Sequence, residues 1–215
     1  MIRALLGRFT GHSALHLCLA CHLGSFERGP LLWLTKYTKT EDPHWLEKGS
    51  DAVTHFPRKP YFPHVLHYLI SDKLVFIPKT REMMTSWLVM GYIASEAQWF
   101  EQVQWVVQSQ KETKSFELVD YARQLYRYQE PWMKARVKIV EDSAGHIRLS
   151  NGSEIIGIPA GESQIRSYHP TGYLMDEASH LPEAQQCYGV ALPVARKIIG
   201  ISSVAPGWWA QECDL

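Results

Sequence analysis

Short apolar runs and helical apolar stripes alternate along most of this 215-residue chain. Leu74 to Ile77 is a continuous apolar run closed by Pro78, which predicts a strand buried on both faces. The apolar spacing from Ser86 to Ala97 is helical, and Val103 to Val107 predicts the next strand. A second helix is predicted over 115–129, where apolar positions recur three and four residues apart.

The rest of the chain continues this alternation. Residues 136–158 predict strands joined by turns, one of which contains the hairpin dipeptide Asn151-Gly152. Tyr173 to Met175 predicts a short strand, Pro182 can start a helix, and residues 197–204 predict a last strand. The alternation of strands and helices favours an α/β fold with a mainly parallel sheet and flanking helices.

The first thirty residues lack this pattern and end at Gly29-Pro30, so we predict an irregular arm over 1–30 and one domain over 31–215. Hydrophobic residues make up 46% of the chain and charged residues 20%, which is typical of a globular protein. The formal net charge is zero, so no global field attracts nucleic acid. No apolar run is long enough for a membrane-spanning helix.

Cys18 and Cys21, followed by His22, match the attachment pattern of a c-type haem and also suggest a metal site. Haem attachment requires export, but Arg8 and His12 interrupt the apolar core that a signal peptide would need. A structural zinc site would need a second pair of ligands with defined spacing. We therefore favour a segment that binds neither group.

The first candidate for chemistry is the window from Lys79 to Ser86, which links a predicted strand to a predicted helix. The first backbone N–H groups of a helix are unpaired, so a strand, loop and helix in this order can bind an anion. A standard phosphate-binding loop has two glycines and a late lysine. Here Met84 replaces the second glycine and Thr85 stands at the usual lysine position, so an ordinary strand–turn–helix is an equal alternative.

Two further strand ends carry polar residues. Asp176 and Glu177 follow an apolar strand, where one acid can hold Mg²⁺ and the next can activate a water, although two acids also often open a helix. Ser202 and Ser203 end the last strand, where their hydroxyls can lie beside a phosphate, although a simple exit into a turn is the alternative. The three segments follow the order of a P-loop motor core.

At these residues the chain resembles the ATPase domain of tailed-phage terminase large subunits, which belongs to the additional-strand, catalytic-glutamate class of P-loop NTPases. The stretch from Lys79 to Trp87 is similar to a family variant, Lys-Ser-Arg-Gln-Met-Met, in which the lysine starts the loop. Residues 56–61 resemble the adenine-side segment of the family, and residues 106–111 resemble the segment after its second core strand. Arg166 stands where the family tends to carry an arginine. The similarity extends from about Leu32 to Trp209.

The resemblance implies roles for individual residues, with ATP and Mg²⁺ as cofactors. The implied catalytic residues are Glu177 as base, with Lys79 and Arg81 on the phosphates. The implied Mg²⁺ ligands are Ser86 and Asp176. Further implied nucleotide contacts are Tyr61 on the adenine, Thr80, Thr85, Ser202 and Ser203. Arg123 and Arg127 are candidates for a trans-acting arginine, but we favour solvated helix charges.

The resemblance also implies a function: ATP hydrolysis that drives double-stranded DNA into a procapsid. It implies a portal protein, a terminase small subunit and a ring of identical subunits as partners, in the host cytoplasm and transiently at the portal. The nuclease domain of the family is absent from these 215 residues, so we expect Trp208 and Trp209 to form an exposed apolar patch. Two alternatives remain open: an inactive prophage remnant, and a fragment of a helicase-like translocase, since residues 176–180 resemble a helicase acidic box.

Overall fold

A computed structural model describes residues 28–41, 45–49, 51–80 and 83–213. The chain divides between Ser71 and Asp72 into two compact units. The predicted arm over 1–30 lies almost entirely outside the described residues, so the boundary near residue 30 stays a prediction. The described residues from 28 to 71 have a small sheet and an apolar core of their own. Within the described ranges, no helix is long and apolar enough to cross a membrane.

The first unit combines short helices with a two-stranded antiparallel sheet. Its elements are α1 (Arg28–Leu32), a π-helical turn (Trp33–Tyr37), β1 (Lys39–Glu41), α2 (Trp45–Lys48), β2 (Val53–His55) and α3 (Phe62–Ser71). Its core is formed by buried apolar side chains, namely Trp33, Leu34, Phe56, Phe62, Leu66 and Leu69.

The second unit is built on a seven-stranded sheet with the order β3-β9-β8-β4-β7-β6-β5. The strands are β3 (Leu74–Pro78), β4 (Gln104–Gln108), β5 (Ile139–Ser143), β6 (His146–Leu149), β7 (Glu154–Ile158), β8 (Gly172–Asp176) and β9 (Lys197–Ser202). The helices are α4 (Thr85–Trp99), α5 (Glu112–Arg127), α6 (Pro131–Arg136), α7 (Glu162–Ile165), α8 (Ala184–Ala191) and α9 (Trp208–Glu212). Strands β3, β9, β8, β4 and β7 are parallel, while β6 and β5 are antiparallel additions. The predicted mainly parallel α/β fold is confirmed, and β9 lies between β3 and β8.

The burial of each strand follows its place in the sheet. Every residue of β8 and β9 is buried, as expected for central parallel strands covered on both faces. Strand β5 lies at one edge and exposes most of its residues, including Glu141 and Asp142. Charged side chains on an edge strand discourage pairing with other chains. The apolar runs of β8 and β9 therefore mark the middle of the sheet. The predicted burial of β3 on both faces was wrong, because β3 lies at the other edge and only its second residue, Val75, is buried.

The two long helices bury different fractions of their surface. Helix α4 is buried over most of its circumference, which explains why its sequence is apolar nearly all round. Helix α5 is amphipathic and buries one stripe, formed by Ser115, Leu118, Val119, Ala122 and Leu125. The two helices are joined by a stacked pair of rings, Trp87 and Tyr121, whose centroids are 3.9 Å apart. This packing fixes the start of α4 against the rest of the unit.

The expected exposed patch at Trp208 and Trp209 was wrong for Trp209, which is 1% exposed. Helix α9 folds back onto the sheet, and both rings contact Phe76 edge-on at 6.1 and 5.6 Å between centroids. Gly200 makes this approach possible, because a Cβ atom there would lie 2.5 Å from Phe76 and 2.8 Å from Trp209. The aromatic pair thus completes the core beside β9.

Candidate functional site

The carboxyl ends of β3, β9 and β8 meet at one edge of the sheet, where ligands of open α/β folds bind. Register alignment pairs Pro78 with Ser202 and Asp176 with Ile201, so the ends of the three strands are level. The predicted phosphate loop, acidic pair and serine pair therefore leave the sheet side by side. This edge is the candidate site.

Lys79 begins the loop after β3 and is held at both ends. Its backbone N–H donates to the Ser202 carbonyl at 2.8 Å. Its ammonium group forms an ion pair with Glu177, with 2.9 Å between Nζ and Oε1. The Lys79 side chain is 13% exposed and that of Glu177 is 37% exposed. Thr80 is exposed, and Arg81 lies outside the described residues.

Helix α4 begins at Thr85, directly after a left-handed residue. Met84 has φ 52° and ψ 24°, a conformation that favours glycine and that standard phosphate-binding loops reach with one. In the described part of the chain, no side chain caps the start of this helix. The first amides of a helix can bind an anion when no side chain caps them, and this role of the loop stays a prediction. Thr85 itself is buried.

Ser86 and Asp176 form the second contact across the site, with 2.9 Å between Oγ and Oδ1. Asp176 is 8% exposed. The pKa of this carboxyl is raised from 3.8 to about 6. Burial is the main cause and the nearby Glu177 adds to it, while the Ser86 hydrogen bond and Lys79 oppose the rise. A bound cation would favour the ionised carboxylate that burial disfavours.

Glu177 follows the last residue of β8 in a left-handed conformation, with φ 51° and ψ 45°. A short 3₁₀ helix, Ala178–His180, comes next, and the His180 N–H donates to the Glu177 carbonyl at 2.8 Å. Non-glycine residues in this conformation are strained and often occur at functional sites. The strained turn directs the Glu177 carboxylate toward Lys79 instead of continuing the strand.

Ser202 and Ser203 lie at the end of β9, but their contacts are with the loop after Glu177. The Ser202 hydroxyl is 2.6 Å from the Ser179 hydroxyl and accepts the Ser179 N–H at 3.1 Å. The Ser203 hydroxyl is 3.3 Å from His180 Nε2. No sequence pattern distinguishes Ser179, because spacing along the chain does not show which hydroxyl its side chain contacts.

Gln108, at the end of β4, is a second residue that the sequence analysis did not single out. It is fully buried, and its amide donates to the carbonyl oxygens of Pro159 and Gly161 at 2.6 and 3.0 Å. Its side-chain oxygen accepts the Tyr173 hydroxyl. Gln108 therefore fastens β4, β7 and β8 together just below the candidate site.

Three further candidate residues have contacts within their own units. Tyr61 belongs to the first unit, where its ring contacts Phe62 edge-on at 5.1 Å, and its role stays a prediction. Arg166 is 63% exposed and pairs with Glu162. Arg123 is bound within the protein, to Asp120, Asp142 and the Ser143 carbonyl.

Residues Cys18, Cys21 and His22 lie outside the described part of the chain. Among the residues that the structure does describe, no group of three or more His, Cys, Asp and Glu side chains is arranged to hold a metal ion. Any cation at the candidate site would thus rely on few protein ligands.

Similar folds are found among solved structures. The large terminase of bacteriophage HK97 matches with a TM-score of 0.59 and 10% identity, over 83% of this chain and 38% of that protein. The large terminase ATPase domain of Thermus phage P74-26 matches with a TM-score of 0.54 and 11% identity, over 80% of this chain and 73% of that one. The fold is that of a large-terminase ATPase domain. No protein-family model and no curated sequence matches the chain.

Proposed function

We propose that the second unit binds and hydrolyses ATP with Mg²⁺. The observation that carries the proposal is the meeting of Lys79, Ser86, Asp176 and Glu177 at one sheet edge, beside the uncapped start of α4. A cation for phosphate, two oxygen ligands for a metal and a carboxylate for water are the groups that phosphoryl transfer requires. The likeness of the fold to large-terminase ATPase domains supports the same reaction.

The donor set fits Mg²⁺ and a nucleotide phosphate. Mg²⁺ prefers hard oxygen ligands and usually takes only one or two from the protein, with water and phosphate oxygens completing its shell. The Ser86 hydroxyl and the Asp176 carboxylate supply two such oxygens. The free amides at the start of α4 suit a phosphate. When bound, Mg²⁺ would neutralise charge on the phosphate oxygens.

Each of the four side chains then has a separate role in the proposed reaction. Lys79 donates to the phosphates, and in doing so it exchanges its present partner, Glu177, for the nucleotide. Glu177, freed from the ion pair, orients the attacking water and accepts its proton. Asp176 and Ser86 hold the metal, and the strained turn at Glu177 keeps the base at the edge of the site.

We extend the proposal to a packaging motor that moves double-stranded DNA. The fold supports this extension through its likeness to large terminases, of which the chain spans 38% of the HK97 protein. A portal protein, a terminase small subunit and further copies of this chain in a ring are the proposed partners. The zero net charge agrees with DNA contact that depends on assembly.

Binding of a fluorescent ATP analogue tests the ATPase proposal. The unaltered chain should bind the analogue only with Mg²⁺, and Lys79→Ala should weaken binding at least about tenfold by removing the phosphate cation. Lys134→Ala is the matched control, because that lysine donates to the Arg127 carbonyl at the surface. Binding by the unaltered chain without turnover, even with long duplex DNA, would support an inactive remnant. Equal binding by Lys79→Ala would reject the site.

A further inference from the structure

We propose that Ser179 is a positioning residue for Glu177, and that it acts through Ser202. This inference rests on the proposed ATPase function. It assigns the hydroxyls at the end of β9 to the glutamate loop, whereas the sequence analysis assigned them to the nucleotide. The evidence is a closed set of hydrogen bonds between Ser179, Ser202 and Ser203.

The hydrogens in this set can be assigned by elimination. The Ser179 hydroxyl lies 3.2 Å from the Ser203 carbonyl oxygen, which can only accept, so Ser179 donates there. The proton between the two hydroxyls, 2.6 Å apart, must then come from Ser202. The Ser202 oxygen also accepts the Ser179 N–H at 3.1 Å. The hydroxyls of Ser179 and Ser202 thus each donate one hydrogen bond and accept one within the protein.

The burial of Ser202 agrees with an internal role. Its residue surface is fully buried, and its hydroxyl is already used as donor and acceptor. Its carbonyl oxygen accepts the N–H of Lys79 at 2.8 Å. One residue of β9 therefore joins the start of the phosphate loop to the loop that carries Glu177. A change at the phosphate loop can reach the base through this residue.

Ser179 is connected to Glu177 by a short and rigid segment of the chain. Ala178 is the single residue between them, and it is 1% exposed in the core that also contains Leu181 and Trp209. The 3₁₀ turn is closed by the bond from the His180 N–H to the Glu177 carbonyl. Glu177 is left-handed and strained, so it keeps this conformation only while its surroundings hold it. The hydrogen bonds of Ser179 are the polar contacts that keep this conformation in place.

The prediction is a loss of turnover without a loss of binding. Removing either hydroxyl, in Ser179→Ala or Ser202→Ala, should lower kcat by about tenfold to a hundredfold, since a displacement of about 1 Å can have that effect. Affinity for the fluorescent ATP analogue should stay within about threefold, because no nucleotide contact is removed. Ser179→Thr retains the hydroxyl and should recover most of the turnover.

A matched control exists at the opposite edge of the sheet. Ser153 is fully buried, accepts the Val103 N–H at 3.1 Å and donates to the Phe100 carbonyl at 2.7 Å. Ser153→Ala therefore removes the same kinds of hydrogen bond far from the site. It should lower the free energy of unfolding while kcat remains that of the unaltered chain. A general loss of stability would reduce kcat in all three alanine variants.

Amide hydrogen exchange supplies a readout that does not depend on turnover. In Ser202→Ala the amides of Ser179 and His180 should exchange at least about tenfold faster, because the acceptor that holds the turn is gone. Unchanged exchange would overturn the inference, as would a weaker affinity with unchanged kcat, which would indicate a direct nucleotide contact. If the unaltered chain does not hydrolyse ATP, the proposed function fails, and exchange alone then decides whether Ser202 holds the loop.

Discussion

The amino-terminal and carboxyl-terminal edges of the central sheet, where its parallel strands begin and end, differ in how well a carboxylate is paired. At the amino-terminal edge, Glu96 accepts the Tyr92 hydroxyl at 2.5 Å and the Trp105 indole N–H at 3.2 Å. Lys197, which is buried at this edge, donates to the Asp72 carbonyl at 2.7 Å, and burial lowers its pKa. At the carboxyl-terminal edge, buried Asp176 accepts one side-chain hydrogen bond, from Ser86, and its pKa is raised. The carboxylate at the edge without the candidate site is thus the better paired of the two.

Backbone conformation shows the same contrast. Four non-glycine residues of the described ranges have positive φ angles. Met84, Glu177 and Glu183 follow β3 or β8 on the side of the candidate site, and Gln102 precedes β4 on the other side. Strain of this kind persists where a ligand site requires a particular geometry. In the described ranges the amino-terminal edge has only one such residue, whereas the carboxyl-terminal edge has three strained conformations that a bound ligand can stabilise.

The largest expected effect comes from replacing one glutamate by glutamine at each edge of the sheet. Glu177→Gln should lower kcat by about 10²–10⁴-fold, since the proposed base is lost, with little change in stability because Glu177 is 37% exposed. Glu96→Gln should cost about 2 kcal/mol of unfolding free energy, because an NH₂ group replaces one acceptor. Turnover and urea unfolding of both variants measure the contrast. A similar loss of stability in both would remove the distinction between the edges.

A smaller effect is expected from Asp176→Asn. The pKa of Asp176 is about 6 in the folded chain, above the ordinary 3.8, so the unfolded state binds fewer protons between these values. The contribution of Asp176 to stability is therefore present below pH 4 and is lost as the pH rises through 6. Asp176→Asn should raise the unfolding free energy by about 2–3 kcal/mol above pH 6, and hardly change it at pH 4.

Unfolding measured from pH 4 to 8 checks this profile, and Mg²⁺-dependent binding should be lost in the same variant. Asp142→Asn serves as the control, because Asp142 is 47% exposed and its change removes an ion pair with Arg123. No gain in stability is expected there. An equal gain in both variants would show that burial of Asp176 is not the cause.

The smallest effect is expected from glycine at the left-handed positions. Met84→Gly and Gln102→Gly should each stabilise the chain by about 0.5 kcal/mol, the relief of strain less the added entropy of the unfolded chain. Only Met84→Gly should change the affinity for the ATP analogue, because Met84 precedes the free amides of α4. Calorimetry and analogue binding separate the two effects. A change of affinity in Gln102→Gly would contradict the comparison.

Much of the fold could be predicted from apolar spacing. The helix predicted from Ser86 to Ala97 is observed as Thr85–Trp99, and the hairpin at Asn151-Gly152 joins β6 to β7. Helix α6 was not predicted, because its six residues carry no repeating apolar pattern. The boundary between the units at Ser71 was not predicted either, since it lies between a helix and a strand with no run of linker residues.

The sequence by itself determined where most strands lie, because short apolar runs bounded by turn residues predict strands. It did not determine which strands are central, since β3 also has a continuous apolar run and lies at an edge of the sheet. It also determined that Lys79, Asp176 and Ser202 stand at strand ends, which in a parallel sheet meet at one edge. Tertiary structure alone decided what these residues contact. Contacts such as Lys79 with Glu177 and Ser202 with Ser179 join residues 98 and 23 positions apart. Local propensity carries no information about such pairs, because side-chain partners depend on how loops leave the packed sheet.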